Sequence, residues 1–425
     1  MKQRSSIAMD VDDVEAFKIF KREAQKLQRT CELRESEGLP KEERERDIKL
    51  EVCGQANTFN VKDFGAIADG KTDNSKALLN AWSKACRGKA QGTVLVPSGT
   101  FLVNPITLQG PCNDQTAFQI GGVLKAPSDP SFGTDQWINF KGINGLKVYG
   151  KGTFDGQGAS AWSQTKCGGN ANCKQPPLSV KFNYITNASI QSITSVDSKF
   201  FHFAICESEN IIVSNVKISA PGDSPNTDGI HVSNSKNIKI LNSSIATGDD
   251  CVSLGPGNTN VSISGISCGP GHGISIGSLG KYPNEKTVKG IFVRNCTFSN
   301  TQNGVRIKTW APSPPSKVTG VTFQDIVMYN IDNPIIIDQQ YCPSKPCSAK
   351  GDSLVQISDV NYINIQGSSS SKVAVNVQCS PSFPCQGIKF NGINISYSGQ
   401  GGPATASCSN VKASFQGQQI PPPCV

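Results

Sequence analysis

The sequence has few histidines, no Cys-x-x-Cys pair and no long apolar run. Only three histidines occur in 425 residues, and no two of the sixteen cysteines form a Cys-x-x-Cys pair, which argues against a structural zinc site. No stretch approaches 18 consecutive apolar residues, so the sequence predicts no membrane-spanning helix. Lysine and arginine are not interleaved with aromatic residues, which make up 7% of the chain, so a nucleic-acid partner is not favoured either.

Glycine, asparagine and serine are abundant, which is typical of many short strands joined by tight turns. Charge is divided unevenly along the chain. Residues 1–51 hold 12 of the 41 basic and 13 of the 33 acidic residues, so residues 52–425 carry 29 and 20, a net charge of +9. A surplus of this size favours an acidic partner, with ordinary solubility as the alternative.

Sixteen cysteines indicate an oxidising, extracellular environment. Four pairs lie close enough in sequence to close as disulfides: Cys251–Cys268, Cys342–Cys347, Cys379–Cys385 and Cys408–Cys424. Five Asn-x-Ser/Thr sequences would be glycosylation acceptors in a secreted protein, at Asn187, Asn242, Asn260, Asn295 and Asn394. We therefore predict a secreted, disulfide-bonded glycoprotein.

The N-terminal region does not match that prediction. A secretion signal needs a basic start and an apolar run, but three aspartates follow Met1 and Lys2 within the first thirteen residues. Either the exported form begins elsewhere, which we favour, or the protein leaves by another route. We interpret residues 1–51 as a charged extension, helical or disordered, and residues 52–425 as one folded domain.

Short strands with alternating apolar residues follow one another from about residue 137 to 400, at intervals of about 22 to 31 residues. Such coils leave no room for crossover helices, and the leucine-rich repeat consensus is missing. The pattern predicts an all-β fold, a right-handed single-stranded parallel β-helix. A short helix, capped by Thr72 or Asp73 and ending near Cys86, would cover its open N-terminal end. Its apolar face would be Ala77, Leu78, Ala81 and Ala85.

Polar residues recur at the same position of successive coils. Asp228, Asp250 and His272 lie 22 residues apart. Strand alternation directs an aliphatic residue of each coil to the core: Ile230, Val252, Ile274 and Val305. The neighbouring positions then face outward: His231, Ser253, Ser275, Arg306 and Lys308. Because carboxylates cannot pack among aliphatic side chains, Asp228 and Asp250 must lie on bends before the strands begin.

Asp228, Asp249 and Asp250 would then form a cluster of like charges, which raises the pKa of at least one of them. One carboxyl can stay protonated as an acid while another acts as a base, as glycosidic hydrolysis requires. Arg306 and Lys308 on the same wall suit a sugar that carries a carboxylate. Ordinary turn-stabilising aspartates, a solvated Arg-x-Lys face and a calcium site completed by histidine are the alternatives.

The sequence resembles the polygalacturonases, the pectin-hydrolysing β-helix glycosidases. Four motifs occur in that family's order: Asn226-Thr227-Asp228, Gly248-Asp249-Asp250, Gly271-His272-Gly273 and Arg306-Ile307-Lys308. The likeness runs from about Thr58 to the C-terminus and includes Asp63-Phe64-Gly65-Ala66 and the stretch 152–158, but not residues 1–51. The stretches 221–225 and 277–285 are most similar to plant pollen exopolygalacturonases.

The resemblance implies a general acid, Asp249, with Asp228 and Asp250 activating water in an inverting reaction and His272 tuning the acid. It implies that Asn226, Arg306, Lys308 and Tyr341 bind substrate. No metal or organic cofactor is implied. Pectate lyases share the architecture, but they eliminate with Ca²⁺ and a basic residue, which this set of residues does not favour.

We therefore expect a polygalacturonate hydrolase that acts from one chain end, secreted to the cell wall. We expect it to be monomeric, with pectin as its substrate and no nucleic-acid or membrane partner. Endo action depends on loops at the end of the cleft and stays an alternative. A catalytically inactive pectin-binding solenoid and a purely structural repeat protein are the other two.

Overall fold

The structure, a computed structural model, describes residues 57–129, 131, 133–163, 175–343 and 351–424. The described strands form two parallel sheets, of 21 and 11 strands, in which strands of successive coils pair side by side. This confirms the predicted parallel β-helix. Within these residues no helix has the length and apolarity that crossing a membrane would need. The predicted extension, residues 1–51, lies outside the described residues.

The 11-stranded sheet carries the polar wall predicted from the sequence. Its strands are Ile106–Gln109, Gln136–Lys141, Leu178–Asn183, Phe203–Cys206, Ile230–Ser233, Val252–Leu254, Ile274–Leu279, Asn303–Trp310, Asn333–Tyr341, Val373–Gln378 and Thr405–Ser409.

The 21-stranded sheet forms the remaining walls of the coils, and its strands lengthen toward the C-terminus. They are Asn57–Asn60, Asp69–Asp73, Gly92–Val96, Thr100–Leu102, Thr116–Ile120, Val123–Lys125, Leu146–Gly150, Thr153–Asp155, Thr186–Gln191, Thr194–Val196, Glu209–Ser214, Lys217–Ser219, Lys236–Leu241, Ser244–Ala246, Thr259–Ser264, Ser267–Cys268, Val288–Ser299, Ser316–Ile331, Val355–Ser369, Cys385–Tyr397 and Val411–Ile420. The short helices are the 3₁₀ helix Val61–Phe64 and the α-helices Ser75–Arg87 and Ala159–Trp162.

The N-terminal capping helix is present, but it begins later than the sequence predicted. It starts at Ser75, with Asn74 rather than Thr72 or Asp73 in the N-cap position. The Asn74 side chain is occupied elsewhere, since it accepts from the backbone N–H of Ile67 at 2.7 Å. The carboxylate of Asp73 still accepts from the Ser75 backbone N–H at 3.0 Å, so it satisfies one free donor of the first turn.

The apolar face of this helix is the predicted one. Its four members are all buried: Ala77, Leu78, Ala81 and Ala85. Trp82 joins them, with its ring edge on Phe140 at a centroid distance of 6.0 Å and its indole N–H bonded to the Gln109 carbonyl at 3.0 Å. The helix therefore covers apolar side chains of the first coils that would otherwise face water.

Like residues stack between coils both inside and outside the solenoid. Inside, Phe323, Tyr362, Phe390 and Phe415 form a column with ring centroids 5.0–5.3 Å apart. Outside, asparagines at one bend of successive coils donate from one side-chain amide to the next at 2.7–3.0 Å. This ladder is Asn144, Asn187, Asn210, Asn237 and Asn260. All but the first have positive φ, a conformation that asparagine tolerates better than most residues.

Three predicted disulfides are confirmed: Cys251–Cys268, Cys379–Cys385 and Cys408–Cys424. Cys347 lies outside the described residues, so the Cys342–Cys347 pairing stays a prediction. A further disulfide, Cys86–Cys112, ties the end of the capping helix to a later loop. Sequence spacing did not single it out, because its 26-residue separation is no shorter than that of many other cysteine pairs.

Candidate active site

Four outward positions of successive coils stand in register on the 11-stranded sheet. His231 pairs with Ser253, Ser253 with Ser275, and Ser275 with Arg306. The aliphatic residue before each of them is buried in the core, as strand alternation predicted: Ile230, Val252, Ile274 and Val305. The wall therefore presents one column of polar side chains on the outside of the coils.

The three aspartates lie on irregular backbone just before these strands, as predicted. Asp228 precedes the strand Ile230–Ser233, and Asp249 and Asp250 precede Val252–Leu254. The bend requires glycine at position 248, because a Cβ there would come within 2.0 Å of the Ser224 carbonyl oxygen. This close approach of two backbones lets consecutive aspartates reach one cleft.

Asp250 is fully enclosed by hydrogen-bond donors. Its Oδ1 accepts from Arg306 Nη2 at 2.8 Å and from the Ser275 hydroxyl at 2.7 Å, while its Oδ2 accepts from Lys308 Nζ at 2.8 Å. Burial alone would raise its pKa, but Lys308 and Arg306 outweigh burial and lower the pKa of Asp250 to about 2. Asp250 is therefore a permanent anion at working pH.

Asp228 has the opposite environment. It is buried, its Oδ2 accepts from the Ser253 hydroxyl at 2.6 Å, and no cation pairs with it in the described part of the chain. Burial and the charges of Asp249 and Asp250 raise the pKa of Asp228 well above its ordinary value. The sequence predicted that one carboxyl of the cluster would be so raised, and the effect falls on Asp228.

Asp249 lies between two polar side chains and keeps about a sixth of its side chain exposed. Its Oδ1 lies 3.0 Å from His272 Nδ1, and its Oδ2 accepts from Asn226 Nδ2 at 3.2 Å. His272 is one-third exposed. Of the three aspartates, Asp249 is therefore the one open to a ligand in the cleft.

Oxygen and nitrogen atoms of Asp249, Asp250 and His272 lie within 4.8 Å of one another, close enough for a metal ion. Both oxygens of Asp250, however, already accept from cationic side chains, Arg306 and Lys308. A metal ion there would lie against two positive charges, which disfavours its binding. The arrangement therefore fits a carboxylate cluster neutralised by the protein better than a metal centre.

Arg306 and Lys308 are more buried than a solvated strand face would be, with 9% and 6% exposure. Arg306 donates from Nε to Ser275 and from Nη2 to Asp250, which leaves three of its five N–H donors for other partners. Lys308 Nζ lies 5.2 Å from the ring centroid of Tyr341. The structure therefore brings the predicted basic pair and tyrosine to the aspartates.

The site contains a cleft with a volume of about 250 Å³. The predicted residues that line it are Asn226, Asp228, Asp249, Asp250, Lys308 and Tyr341. Beyond the predicted residues, its lining includes Gln175, Phe200, Phe201, His231, Ser253, Gly255, Pro256, Gly277 and Ser278. Phe201 stacks on Phe200 at 4.0 Å and on His231 at 4.9 Å between centroids. The outward register already pointed to His231 and Ser253, but nothing in the repeat indicated the two phenylalanines, which come from the preceding coil.

A loop at the far side of Tyr341 is held by one carboxylate. Glu285 accepts from the backbone N–H groups of Gly280, Lys281 and Tyr282 at 2.6–3.0 Å. Lys281 Nζ lies 5.6 Å from the Trp310 ring centroid, and that ring meets Tyr341 edge-on at 5.5 Å. Lys281 therefore adds a cation beside Trp310, on the side of Tyr341 that Trp310 contacts.

Several proteins of similar sequence or fold are named as pectin hydrolases. An exopolygalacturonase of Platanus acerifolia is 50% identical over 372 residues, which is 87% of this chain and 98% of the relative. A polygalacturonase of Nicotiana tabacum is 45% identical over 87% of this chain and 92% of its own length. An endo-xylogalacturonan hydrolase of Aspergillus tubingensis superposes with a TM-score of 0.73 at 25% identity, over 85% of this chain and 100% of the other.

An exopolygalacturonase of Thermotoga maritima, at 18% identity and a TM-score of 0.68 over 84% of this chain and 90% of that one, shares the fold. Residues 86–418 match the glycosyl hydrolases of family 28. That match spans the cleft, the three aspartates and the basic pair. The chain belongs to family 28 of the glycosyl hydrolases.

Proposed function

We propose that this protein hydrolyses the α-1,4-galacturonosidic bonds of polygalacturonate with inversion. The observation that carries the proposal is one cleft lined by three carboxylates and Lys308, with Arg306 paired to one of those carboxylates, Asp250. Paired carboxylates supply the acid and base of glycosidic hydrolysis, and the cations favour a sugar with its own carboxylate. Identity to proteins named polygalacturonase supports the same substrate.

In this reaction Asp249 protonates the leaving oxygen, and Asp228 and Asp250 hold and activate the attacking water. The exposure of Asp249 and its contact with His272 support the role of acid. The permanent charge of Asp250 supports a role in holding water and stabilising the positive charge that develops on the sugar. Asn226 and His272 orient Asp249, while Arg306, Lys308 and Tyr341 bind the galacturonate.

The raised pKa of Asp228 has to be reconciled with a proton on Asp249. The negative charge of Asp249 is one of the causes that raise the pKa of Asp228, after burial. In the free protein burial favours the proton on Asp228. Bound substrate offers Asp249 a glycosidic oxygen as acceptor, and catalysis then requires a proton on Asp249 and an ionised Asp228.

We further propose that the enzyme acts from one end of the polymer and releases galacturonate. Exopolygalacturonases are among its most similar relatives, at 50% and 47% identity. The phenylalanines at 200 and 201 precede the coil of Asp228, and the loop held by Glu285 follows the strand Ile274–Leu279, so the two lie at coils before and after those of the aspartates.

The proposal includes a secreted, monomeric enzyme of the cell wall that binds neither nucleic acid nor membrane. Four disulfides in the described residues support an oxidising environment. All five predicted glycosylation asparagines are exposed. Mass spectrometry of the protein purified from its natural source would establish which of them carry glycans.

Product analysis on defined oligogalacturonides tests the function. Monomer as the sole early product supports exo action, whereas mixed lengths would establish endo action. Tight binding of oligogalacturonides without turnover would establish an inactive binding protein. ¹H NMR of the released anomer distinguishes inversion from retention.

Replacement of the proposed acid tests the mechanism. Asp249→Asn should lower kcat by roughly 10²- to 10⁴-fold, since proton transfer by a placed group contributes about that much. Asp325→Asn is the matched control, because Asp325 lies on the 21-stranded sheet and should leave kcat unchanged. Near-normal turnover by Asp249→Asn would remove Asp249 as the acid.

A further inference from the structure

His231 is connected to the proposed base through one serine. Its Nδ1 lies 2.8 Å from the Ser253 hydroxyl, which in turn lies 2.6 Å from Asp228 Oδ2. Strand pairing fixes the first contact, because His231 and Ser253 are register partners on adjacent strands. Ser253 is 3% exposed and Asp228 6%. The three groups therefore form a short chain of hydrogen bonds out of bulk solvent.

The order of donors in this chain follows from one hydroxyl proton. When Asp228 is ionised, as its role as the base requires, it can only accept, so Ser253 must donate its proton to the carboxylate. Ser253 Oγ can then only accept from His231, which places the imidazole proton on Nδ1. Burial lowers the pKa of His231 to about 4, so the ring is neutral at working pH. Its Nε2 then carries a lone pair and no proton.

The Nε2 edge of the ring faces the cleft. His231 lines it together with Gly255 and Pro256. A Cβ at Gly255 would stand 3.4 Å from Nε2, so glycine at that position keeps this nitrogen uncovered. Phe201 covers one face of the ring, at 4.9 Å and 25°. Among the described residues no side chain or backbone group bonds to Nε2.

We propose that His231 is a further substrate-binding and positioning residue of this site. Its Nδ1–H, through Ser253, holds Asp228 in place, and its Nε2 accepts a hydrogen bond from a sugar hydroxyl. The hydroxyl belongs to the galacturonate unit that lies over Phe201. This inference rests on the proposed function, because the ligand is the same polymer.

A readout that does not require activity tests the proton order first. The chain has only three histidines, so ¹⁵N-labelled histidine gives a simple ring spectrum, and His231→Asn identifies the His231 signals. We expect the Nδ1-protonated tautomer for His231 in the wild-type protein at a pH above the raised pKa of Asp228, where that carboxyl is ionised. An Nε2-protonated ring would overturn the proposal even if the enzyme hydrolyses polygalacturonate.

Kinetics then test the two hydrogen bonds separately. His231→Asn keeps an amide N–H near the position of Nδ1 but removes the Nε2 acceptor. It should raise KM for trigalacturonate roughly 3- to 10-fold, the value of one hydrogen bond, with a smaller change in kcat. An unchanged KM would overturn the sugar contact.

Ser253→Ala removes the donor to Asp228 and should lower kcat. It should also move the acidic limb of the pH–rate profile to higher pH, because the serine hydrogen bond lowers the pKa of Asp228, which must be ionised to act as the base. The other charged groups that face this part of the cleft, Asp249, Asp250 and Lys308, remain in place. A pH profile that does not move would overturn the positioning role.

His202 provides the matched control. It makes the same histidine–serine contact, Nδ1 to Ser195 at 2.8 Å, but it is wholly buried and its contact leads to no carboxylate. His202→Asn should lower the melting temperature and leave KM unchanged. A wild-type enzyme without turnover on any galacturonide would refute the proposed function, and the tautomer measurement would still decide the hydrogen-bond order.

Discussion

Asp228 and Asp250 are buried aspartates of one cleft, yet their surroundings shift their pKa values in opposite directions. Asp250 accepts from two cations and a hydroxyl, which lower its pKa to about 2. Asp228 has one hydroxyl donor against burial and two neighbouring carboxylates, which raise its pKa. Of these two neighbouring acids, Asp250 therefore keeps its charge while Asp228 binds a proton more readily.

These shifts predict opposite effects on stability. A carboxyl with a raised folded-state pKa costs stability above its unfolded value, so Asp228→Asn should increase the free energy of unfolding at pH 7. Asp250→Asn leaves Arg306 and Lys308 buried without their anion and should cost about 3–5 kcal/mol. Denaturant unfolding of both variants at pH 7 measures the contrast, and both should lack activity.

The effects of both substitutions on the free energy of unfolding should depend on pH. The gain of Asp228→Asn should vanish toward pH 3.8, where the unfolded aspartate also binds its proton. The stability that Asp250 contributes is present above that value and is lost as pH falls toward about 2. A destabilised Asp228→Asn at pH 7 would show that the Ser253 hydrogen bond outweighs burial and repulsion.

Among the elements, the loop held by Glu285 connects the backbone to substrate recognition. One carboxylate satisfies three successive N–H groups, which fixes the position of Lys281 above Trp310. Trp310 in turn packs on Tyr341. Order in this loop should therefore affect binding more than chemistry.

Glu285→Gln tests that role. The amide has one acceptor oxygen and no charge, so at least one backbone donor loses its partner, at a cost of about 1.5–3 kcal/mol to the loop conformation. KM for oligogalacturonides should rise with little change in kcat, and the loop amides should exchange hydrogen faster. Glu209→Gln, which breaks only an exposed pair with Lys236, should change neither.

The aromatic column contains one polar atom, the hydroxyl oxygen of Tyr362. Tyr362 is fully buried between Phe323 and Phe390, and its hydroxyl has no hydrogen-bond partner in the described residues. Burying an unpaired hydroxyl costs about 1–3 kcal/mol. Removing the Tyr362 hydroxyl should therefore increase the free energy of unfolding.

Tyr362→Phe should increase the free energy of unfolding by about 1 kcal/mol, because it removes that hydroxyl and keeps the stacked ring. Phe390→Tyr, which adds a hydroxyl to the next ring of the same column, should decrease it. Urea unfolding measures both. A less stable Tyr362→Phe would mean that the hydroxyl has a partner such as an ordered water.

At the scale of the whole molecule, net charge bears on the encounter with substrate. Residues 52–425 carry a net charge of +9, and polygalacturonate is a polyanion. Long-range attraction of this kind raises association rates and is screened by salt. The effect depends on the charge of the ligand as well as on that of the protein.

Raising ionic strength from about 0.01 to 0.15 M shortens the Debye length from about 30 to 8 Å. Over this range kcat/KM on polygalacturonate should fall by roughly 10-fold, within the range of electrostatic steering. Kinetics on digalacturonate, which carries two charges, are the comparison and should change less. Equal salt dependence for both would place the effect in the cleft instead of in the overall charge.

Much of the fold followed from local pattern. The alternation along each strand placed Ile230, Val252 and Ile274 in the core, and the 22-residue repeat put Asp228 and Asp250 at the same corner of successive coils. These features depend on strand geometry alone, because side chains alternate whatever the strand pairs with. The desolvation cost of a buried carboxylate also predicted that the aspartates lie on bends.

The tertiary structure decided everything that depends on a partner from another coil. The helix begins after Asn74, whose side chain bonds to Ile67 on another segment and makes no cap. Cys86 pairs with Cys112 because the fold brings the two together across 26 residues. The alternation pattern carries no information about such contacts. Which of three aspartates is neutralised by Arg306 and Lys308 depends likewise on distances across two coils. The sequence by itself therefore determined the solenoid and the residues of its wall, and only the stacking of coils decided which acid holds a proton.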